Sequence, residues 1–310
     1  MGIEHFTFLS EEGRTRIHGV CWKPKQDALR GILQITHGMV EYIERYDGFA
    51  RYMNEKGYLV VGHDHLGHGQ SVTDKSQWGY FGEHGSDTLI ADMHKLRTMT
   101  REKYPELPYF MLGHSMGSFL LRRYLTLHGE GLQGAIIMGT GTQPDIALRA
   151  GKAICSALAR VRGWHYRSQM VNSLAFSGNN KRFAKEGLSG SWLTRDAEIV
   201  KAYSAAPECS FCFTLNGFYS LFDTIWEINR TENLARMPRS LPLFFVSGAE
   251  DPVGGCGAGV KKAYDAYDAL GMEDLTWKLY EKDRHEILNE LDREQVYEDL
   301  YHWMEVRLAT

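Results

Sequence analysis

The residues best suited to chemistry begin with a serine that stands between glycines. Gly113 to Gly117 reads G-x-S-x-G around Ser115. The apolar run Tyr109 to Leu112 precedes this segment, and the helix-like Ser118 to Leu127 follows it, so the pattern predicts a strand, a sharp turn and a helix. Such an elbow lifts a nucleophilic hydroxyl clear of its own backbone, and the flanking glycines relieve the crowding. Because short patterns also arise by chance, Ser115 needs partners elsewhere in the chain.

An acid and a base follow Ser115 in the order that such an elbow requires. A serine hydroxyl becomes a strong nucleophile only when a base removes its proton and a third group fixes that base. Asp251 comes after the predicted strand Leu243 to Val246, and His285 comes after the predicted strand Leu275 to Tyr280. Glu250 is the alternative acid, but a turn ending in Asp-Pro better fits a residue held in one position. We therefore expect Ser115, Asp251 and His285 to form a catalytic triad.

An oxyanion hole for this nucleophile needs two backbone N–H groups, one of which follows the serine. Met116 supplies that first donor. The loop His37 to Glu41 follows the predicted strand Gly31 to Thr36, and the Met39 N–H is the expected second donor. Gly38 would let this backbone approach the substrate, whereas the alternative interpretation is an ordinary tight turn.

Two other groups resemble metal or redox sites. His63, His65 and His68 lie close together with Asp64, but the glycines between them indicate a constrained loop whose side chains need not share a centre. Cys209 and Cys212 have C-x-x-C spacing without a second pair, and phenylalanines beside them favour packing. We expect no metal and no cofactor. Cys256, five residues after Asp251, either approaches the site or packs in the protein, and packing is favoured.

The rest of the chain predicts the elements that would position these residues. Glu4 to Leu9 and Arg16 to Trp22 predict an opening hairpin, and Gly31 to Met138 then alternates buried strands with helices. This alternation indicates an α/β protein with a mostly parallel sheet. Residues 139–236, called the insertion, instead have helical patterns rich in aromatic residues. The expected organisation is a core in two parts, 1–138 and 237–310, with the insertion between them above the carboxyl ends of the strands.

Composition excludes several classes of protein. The 310 residues are 43% hydrophobic and 24% charged, and no apolar run approaches the roughly 20 residues of a membrane span. A net charge of −4 without a basic run gives no footprint for nucleic acid or for recruitment to anionic lipid. The start of the chain lacks the pattern of a signal peptide, and five cysteines cannot all pair. We expect a soluble, cytoplasmic protein, and the sequence carries no signal for a particular oligomer.

Taken together, the motifs resemble the monoglyceride lipase and lysophospholipase-like branch of the α/β-hydrolases, of the serine aminopeptidase S33 type. The resemblance rests on five segments in order: His37 to Tyr46, Asp64 to Ser71, Leu112 to Gly117, Gly248 with Asp251, and Tyr280 with His285. It implies the α/β-hydrolase fold, with helices on both faces of the sheet, and the same triad and oxyanion donors. It also implies that the insertion is a helical cap, or lid, over a hydrophobic acyl channel.

The predicted function is hydrolysis of monoacylglycerol-like or lysophospholipid-like esters through an acyl-enzyme intermediate. Phe218 and Phe222 recur at helical spacing in the insertion, and we expect at least one of them to contact the acyl chain. The aromatic cap leaves open a transient contact with membranes. The alternatives are an aminopeptidase, for which Glu208 or Asp223 would hold the substrate ammonium, a thioesterase, or a receptor that retains the triad with slow turnover.

Overall fold

The computed structural model describes residues 2–25, 28–176 and 178–308. One eight-stranded sheet organises them, in the order β1-β2-β4-β3-β5-β6-β7-β8. The first two strands form the predicted hairpin, and every pairing from β4 to β8 is parallel. The strands are β1 Gly2–Leu9, β2 Arg16–Lys23, β3 Gly31–Thr36, β4 Tyr58–His63, β5 Tyr109–His114, β6 Gly134–Met138, β7 Leu243–Gly248 and β8 Leu275–Tyr280.

The central strands are buried on both faces because helices cover the sheet on each side. Alternate side chains of β3 belong to two separate hydrophobic clusters: Ile32 packs with one, and Leu33 packs with the other. Such burial on both faces is typical of parallel sheets and explains why these strands are continuous apolar runs in the sequence. The structure confirms the predicted mostly parallel sheet.

Ten helices are described. They are α1 Asp47–Glu55, α2 Ser86–Lys103, α3 Met116–His128, α4 Asp145–Arg162, α5 Gln169–Phe176, α6 Ala197–Ala205, α7 Leu215–Ile228, α8 Thr231–Leu234, α9 Ala258–Asp268 and α10 Arg293–Val306. Helices α1 and α10 contribute to the cluster on one face of the sheet, and α2, α3 and α9 contribute to the cluster on the other. Within the described ranges 2–25, 28–176 and 178–308, no helix has both the length and the hydropathy needed to cross a membrane.

The insertion contains helices α4 to α8 and joins β6 to β7. Its buried side chains Val171, Phe218 and Leu221 belong to the same hydrophobic cluster as Phe119 and Leu120 of α3. The insertion is therefore packed directly onto the helix that follows Ser115, and this contact brings its side chains over one edge of the sheet.

Candidate active site

Ser115 occupies the turn between β5 and α3 in a strained conformation. Its backbone has φ 54° and ψ −120°, a region that residues with a Cβ rarely adopt. The Ser115 N–H donates to the Met138 carbonyl at 3.0 Å, and its carbonyl accepts from the Ser118 hydroxyl at 2.6 Å. The turn is thus tied to β6 on one side and to α3 on the other.

The glycines on either side of Ser115 are required by close backbone contacts. A Cβ on Gly113 would lie 2.4 Å from the Gly117 carbonyl oxygen. A Cβ on Gly117 would lie 2.1 Å from the carbonyl oxygen of Thr36, at the end of β3. Because backbone atoms cannot move aside as a flexible side chain can, any other residue would force the elbow apart from β3.

The loops after β7 and β8 bring Asp251 against His285. The Nδ1 atom of His285 lies 3.0 Å from each Asp251 carboxylate oxygen, and both side chains are buried. Burial alone would raise the pKa of the Asp251 carboxyl, but the His285 ring and hydrogen bonds from the Val253 N–H and the Ser247 hydroxyl hold it below its ordinary value. The carboxylate faces Nδ1, so Nε2 is the ring nitrogen left to accept a proton.

The adjacent acid, Glu250, points elsewhere. Its carboxylate lies 3.5 Å from Arg182 on the protein surface. Cys256 is also exposed, so the interpretation of this cysteine as a packed residue was wrong. Its N–H donates to the Asp251 carbonyl at 2.8 Å, but its thiol faces Arg182.

The two expected oxyanion donors lie in the same cavity as Ser115. Met39 and Met116 both line this cavity, and in the part of the chain that the structure describes neither N–H donates to another backbone carbonyl or side chain. The Gly38 N–H donates to the Glu41 carboxylate, and a Cβ on Gly38 would lie 3.1 Å from the Ser115 Cβ. The Gly38 backbone therefore lies close to Ser115, and its approach to a substrate stays a prediction.

The cavity contains Ser115 and His285, has a volume of about 210 Å³ and opens to solvent. Mainly apolar side chains line it. The apolar ones include Met39, Val40, Met116, Phe119 and Val253 from the core and Phe176, Trp192, Leu193 and Leu221 from the insertion, which also supplies Asn172 and Tyr203. Apolar side chains with a few polar groups among them are typical of a small-molecule site.

Phe218 and Phe222 do not lie among the described residues that line this cavity. Phe218 is fully buried against Phe176 and Phe213, and Phe222 stacks on Phe218 with ring centroids 6.1 Å apart. Helix α7 instead turns Leu221 toward Ser115. Neither phenylalanine that we expected to contact the acyl chain is thus among the described lining residues, because helical spacing alone does not show which side chain of α7 faces the cavity.

Trp192 and Tyr203 are cavity residues that sequence reasoning missed. The Trp192 carbonyl accepts from the His285 N–H at 3.4 Å, and the Leu193 carbonyl accepts from the Glu286 N–H at 2.7 Å. The indole ring of Trp192 packs against the imidazole of His285, with centroids 5.0 Å apart. The insertion is thus hydrogen-bonded to the loop that carries His285. Nothing local in the sequence indicates this pairing, because the two segments are far apart in the chain.

A buried charged network beneath the cavity was also missed. Arg45 makes a bidentate ion pair with Glu286, at 2.8 and 2.6 Å, and a further bond of 2.6 Å with Glu41. The other Glu41 oxygen accepts from the Tyr46 hydroxyl at 2.9 Å and lies 3.2 Å from Nδ1 of His114. Bidentate, hydrogen-bonded pairs of this kind are the ones that survive burial.

Electrostatics keep this network charged. Burial would lower the pKa of His114, but the Glu41 carboxylate raises it above its ordinary value. Burial would likewise raise the pKa values of Glu41 and Glu286, yet His114 and Arg45 hold the first low and Arg45 holds the second low. The Nε2 atom of His114 lies 3.1 Å from the His285 carbonyl oxygen. Through His114, the network therefore contacts the His285 backbone and adjoins Ser115 in the chain.

The histidine cluster on the other side of Ser115 is neutral. His63, His65 and His68 are buried, and edge-to-face ring contacts join them to one another or to His37. Burial lowers the pKa of His63 to about 3 and that of His68 to about 3. The loop after β4 is thus packed with uncharged imidazole rings.

Comparisons with known proteins agree with this geometry. The family model described as serine aminopeptidase, S33 matches residues 27–292. The chain is 26% identical to a monoacylglycerol lipase of Mycolicibacterium smegmatis over 94% of each chain. It is 25% identical to the human monoglyceride lipase, covering 93% of this chain and 86% of that protein. The structure of a highly thermostable carboxyl esterase from Bacillus coagulans in complex with glycerol has a TM-score of 0.91 and 30% identity over 99% of both chains. The predicted α/β-hydrolase fold is confirmed.

Proposed function

The chain belongs to the serine aminopeptidase S33 family, and on that premise we propose that it is a serine carboxylester hydrolase acting on monoacylglycerol-like or lysophospholipid-like esters. The observation that carries the proposal is the apolar cavity that contains Ser115 and His285 together with the free N–H groups of Met39 and Met116. Relatives named as monoacylglycerol lipases and a carboxyl esterase support the same reaction.

The proposed chemistry is acyl transfer through a covalent intermediate. The Ser115 Oγ attacks the ester carbonyl while Nε2 of His285 takes its proton, and the Met39 and Met116 N–H groups stabilise the oxyanion. His285 then gives the proton to the departing alcohol, which leaves an acyl-Ser115. A water molecule attacks this ester as His285 removes its proton, and His285 returns that proton to the Ser115 oxygen as the carboxylic acid leaves. Asp251 orients His285 and stabilises its positive charge throughout.

A monoacyl lipid is the substrate class that best fits the cavity lining. Phe119, Phe176 and Leu221 offer apolar surface to an acyl chain, and each buried methylene contributes roughly 0.8 kcal/mol. The insertion, residues 139–236, serves in this proposal as the cap that closes the channel. Its boundaries follow β6 and α8, and its residues provide six of the cavity's lining side chains.

An aminopeptidase is a weaker candidate because an aminoacyl substrate needs a free carboxylate for its ammonium group. Among the described residues, the carboxylates that line the cavity are Glu41 and Glu286; Arg45 pairs with both, and His114 also pairs with Glu41. Asp223 pairs with Lys152 and lines a different pocket. Glu208 does not line the cavity with Ser115. The site therefore favours a neutral ester over an ammonium-bearing amide.

We also propose that the insertion contacts the lipid surface from which the substrate comes. Helices α4 and α5 expose Ile146, Val161, Met170 and Leu174, the first two by 80% and 83%. Exposed apolar side chains of this size on elements that flank a lipid site are typical of membrane-contacting helices. A cytoplasmic location is part of the proposal, since all five cysteines are free.

A substrate panel with purified protein tests the reaction. We expect turnover of monoacylglycerol and lysophospholipid, with weaker turnover of an acyl thioester and of an aminoacyl amide. A fluorophosphonate should label wild-type Ser115 and fail to label Ser115→Ala, which should also lose the pre-steady-state burst of alcohol release. Labelling without multiple turnover on any ester would favour the receptor alternative, and faster turnover of the amide would favour the peptidase.

The double variant Ile146→Ser, Val161→Ser separates membrane contact from chemistry. We expect it to lose several-fold in rate on monoacylglycerol held in phosphatidylcholine vesicles and to keep the wild-type rate on a short, soluble ester. Equal rates on vesicles for the two proteins would contradict the membrane contact while leaving the esterase proposal intact.

A further inference from the structure

Three side chains outside the cavity point their ligand atoms at one spot beside the opening hairpin. The Nδ1 atom of His5 lies 3.0 Å from Nε2 of His18 and 3.4 Å from a carboxylate oxygen of Glu44. These three atoms all lie within 4.8 Å of one another. His18 is buried, whereas His5 and Glu44 are partly exposed, so the spot is reachable from solvent.

The strand register explains why the two histidines meet. In the antiparallel pair β1 and β2, His5 stands opposite Val20, and His18 is two residues from Val20 on the same face. Diagonal neighbours of this kind are within reach of long side chains. The rings stack with their centroids 5.3 Å apart and an interplanar angle of 23°.

The Asp64 carboxylate contacts both His18 and the turn that carries Glu44. One of its carboxylate oxygens lies 2.9 Å from Nδ1 of His18, and the other accepts at 2.8 Å from the N–H of Ile43, in the turn that carries Glu44. An ionised carboxylate at Nδ1 holds the proton there and leaves a lone pair on Nε2, which faces His5. This is the arrangement by which carboxylates orient histidines that bind metals.

We propose that His5, His18 and Glu44 form a binding site for a divalent transition-metal ion, with Zn²⁺ as the expected occupant. Ligand distances of about 2.0–2.1 Å place two ligands of a tetrahedral zinc about 3.3 Å apart. The separations of 3.0 and 3.4 Å fall on either side of that value. Imidazole nitrogens with one carboxylate favour zinc and its neighbours over calcium or magnesium, and solvent supplies the fourth ligand.

A second cluster of possible metal ligands, made of three carboxylates, differs from the His5 site. Asp283, Glu290 and Asp292 also gather their oxygens within the described chain, but the Arg195 guanidinium lies among them, 2.6 Å from Asp283 and 2.8 Å from Glu290. The three carboxylates of that cluster therefore already surround a cation, the Arg195 guanidinium. The His5 group instead presents two nitrogens and one carboxylate, and within residues 2–25, 28–176 and 178–308 no Lys or Arg side chain pairs with Glu44.

The bound ion would join the edge strand β1 to the turn Ile43–Tyr46. That turn also carries Arg45, whose ion pairs lie beneath the cavity. An ion that binds only the folded protein stabilises it by mass action, so its role is to fix this corner of the molecule. The proposed ester chemistry uses no metal, and the site stands independently of that proposal.

Titration with Co²⁺ and Zn²⁺ tests the site on the full chain, after removal of metal with a chelator. We expect wild-type protein to bind one Co²⁺ with the visible absorption of low-coordinate cobalt and to release it on addition of Zn²⁺. His5→Ala and Glu44→Gln should each weaken binding by at least about tenfold, because even a partner that only orients a ligand contributes that much. Zn²⁺ should raise the Tm of the wild type and leave that of His5→Ala unchanged.

His84→Ala is the matched control, since it removes another exposed histidine and should leave Co²⁺ affinity unchanged. Both ligand variants change partly exposed side chains, so a Tm without metal close to that of the wild type will show that they fold. Equal Zn²⁺ affinity in all four proteins would overturn the proposal and reduce the group to a hydrogen-bonded histidine pair. Loss of affinity in His84→Ala alone would overturn it as well.

Discussion

The sheet edge that carries Ser115 and the insertion that covers it are held in different ways. At the sheet edge, backbone contacts leave no room for a side chain: a Cβ on Gly117 would meet the Thr36 carbonyl at 2.1 Å, and a Cβ on Gly248 would meet the Asp283 carbonyl at 2.1 Å. In the insertion, a Cβ on Gly163 or on Gly178 would meet nothing within 4 Å. The backbone around Ser115 and Asp251 is closed at these positions, whereas the insertion has positions open to a side chain, although Gly217 within it also meets a backbone oxygen, that of Gly79, at 2.4 Å.

We expect this difference to separate the residues that carry out the proposed reaction from those that select its substrate. Backbone constraints position the proposed nucleophile, acid, base and oxyanion donors, and they leave local marks such as glycines at fixed offsets. The acyl-binding surface depends on which faces of α5 and α7 pack toward Ser115, and packing tolerates many side chains. We therefore expect substitutions at the sheet edge to abolish turnover and substitutions in the insertion to redirect it.

Asp251→Asn should have the largest effect. An amide at this position keeps the geometry but favours the wrong histidine tautomer, and the loss of charge removes the partner of protonated His285. We expect kcat on a soluble ester to fall by about 10⁴-fold with little change in KM. Steady-state kinetics with a short ester measure this directly.

Glu250→Gln is the matched control for that change, because Glu250 is the adjacent acid and faces Arg182 on the surface. We expect its kcat to stay within about twofold of the wild type, since the exposed pair contributes little. A similar loss in both variants would show that the loop, rather than the Asp251 carboxylate, is what matters.

Gly117→Ala should disturb the sheet edge without touching a side chain. The new methyl group would meet the Thr36 and His37 carbonyl oxygens at 2.1 and 2.5 Å, so α3 or the Met39 loop must shift. We expect a loss of about 1–3 kcal/mol in the free energy of unfolding and a fall in kcat of about 100-fold or more. In the insertion, Gly178→Ala should leave both quantities unchanged. Full activity of Gly117→Ala would contradict the fixed-backbone interpretation.

The same contrast explains how much of the molecule could be predicted from the sequence. Strand β3 was expected at Gly31 to Thr36 and lies at Gly31–Thr36, and β8 was expected at Leu275 to Tyr280 and lies at Leu275–Tyr280. Ser115, Asp251 and His285 were selected because each follows a strand, and the structure brings Asp251 to His285 within hydrogen-bond distance. Local periodicity and turn chemistry were sufficient for these features.

Features that depend on distant segments could not be predicted. The hydrogen bond between the Trp192 carbonyl and the His285 N–H joins residues that no local pattern relates. Phe222 and Leu221 are neighbours on one helix, and which of them faces Ser115 depends on how α7 packs against α3. The ion pair of Arg45 with Glu286 likewise joins the two parts of the core, residues 1–138 and 237–310. Long-range packing decides all three.

Leu221→Trp should redirect substrate choice without stopping the reaction. The larger side chain would fill part of the cavity beside Phe119 and Phe176. We expect kcat/KM for long-chain monoacylglycerols to fall by about 10- to 100-fold, while the value for an acetate ester changes by less than threefold. A series of esters of increasing chain length measures the shift.

Phe222→Leu is the control for the cavity, since the Phe222 ring packs on Phe218 and beside Gly151 rather than next to Ser115. We expect it to lower the Tm through lost packing while the order of preference among the esters stays the same. If Phe222→Leu changed chain-length preference more than Leu221→Trp, the acyl chain would follow α7 on the face predicted from the sequence.

The smallest expected effect concerns the response of the sheet edge to pH. His63 is fully buried, and burial lowers its pKa from about 6.5 to about 3. Between those values the unfolded chain binds a proton that the folded protein does not, so the free energy of unfolding falls as the pH falls, by up to about 1.4 kcal/mol per pH unit. Above pH 6.5 this contribution to stability is fully present.

His63→Leu should remove this part of the pH dependence of the free energy of unfolding, measured by urea titrations at pH 7, 6 and 5. His165, the one histidine in the sequence of the insertion, is exposed, and His165→Leu should leave the slope unchanged. An unchanged slope in His63→Leu would mean that this imidazole stays hydrated in the folded protein, and the sheet edge would then be less tightly closed than its backbone contacts require.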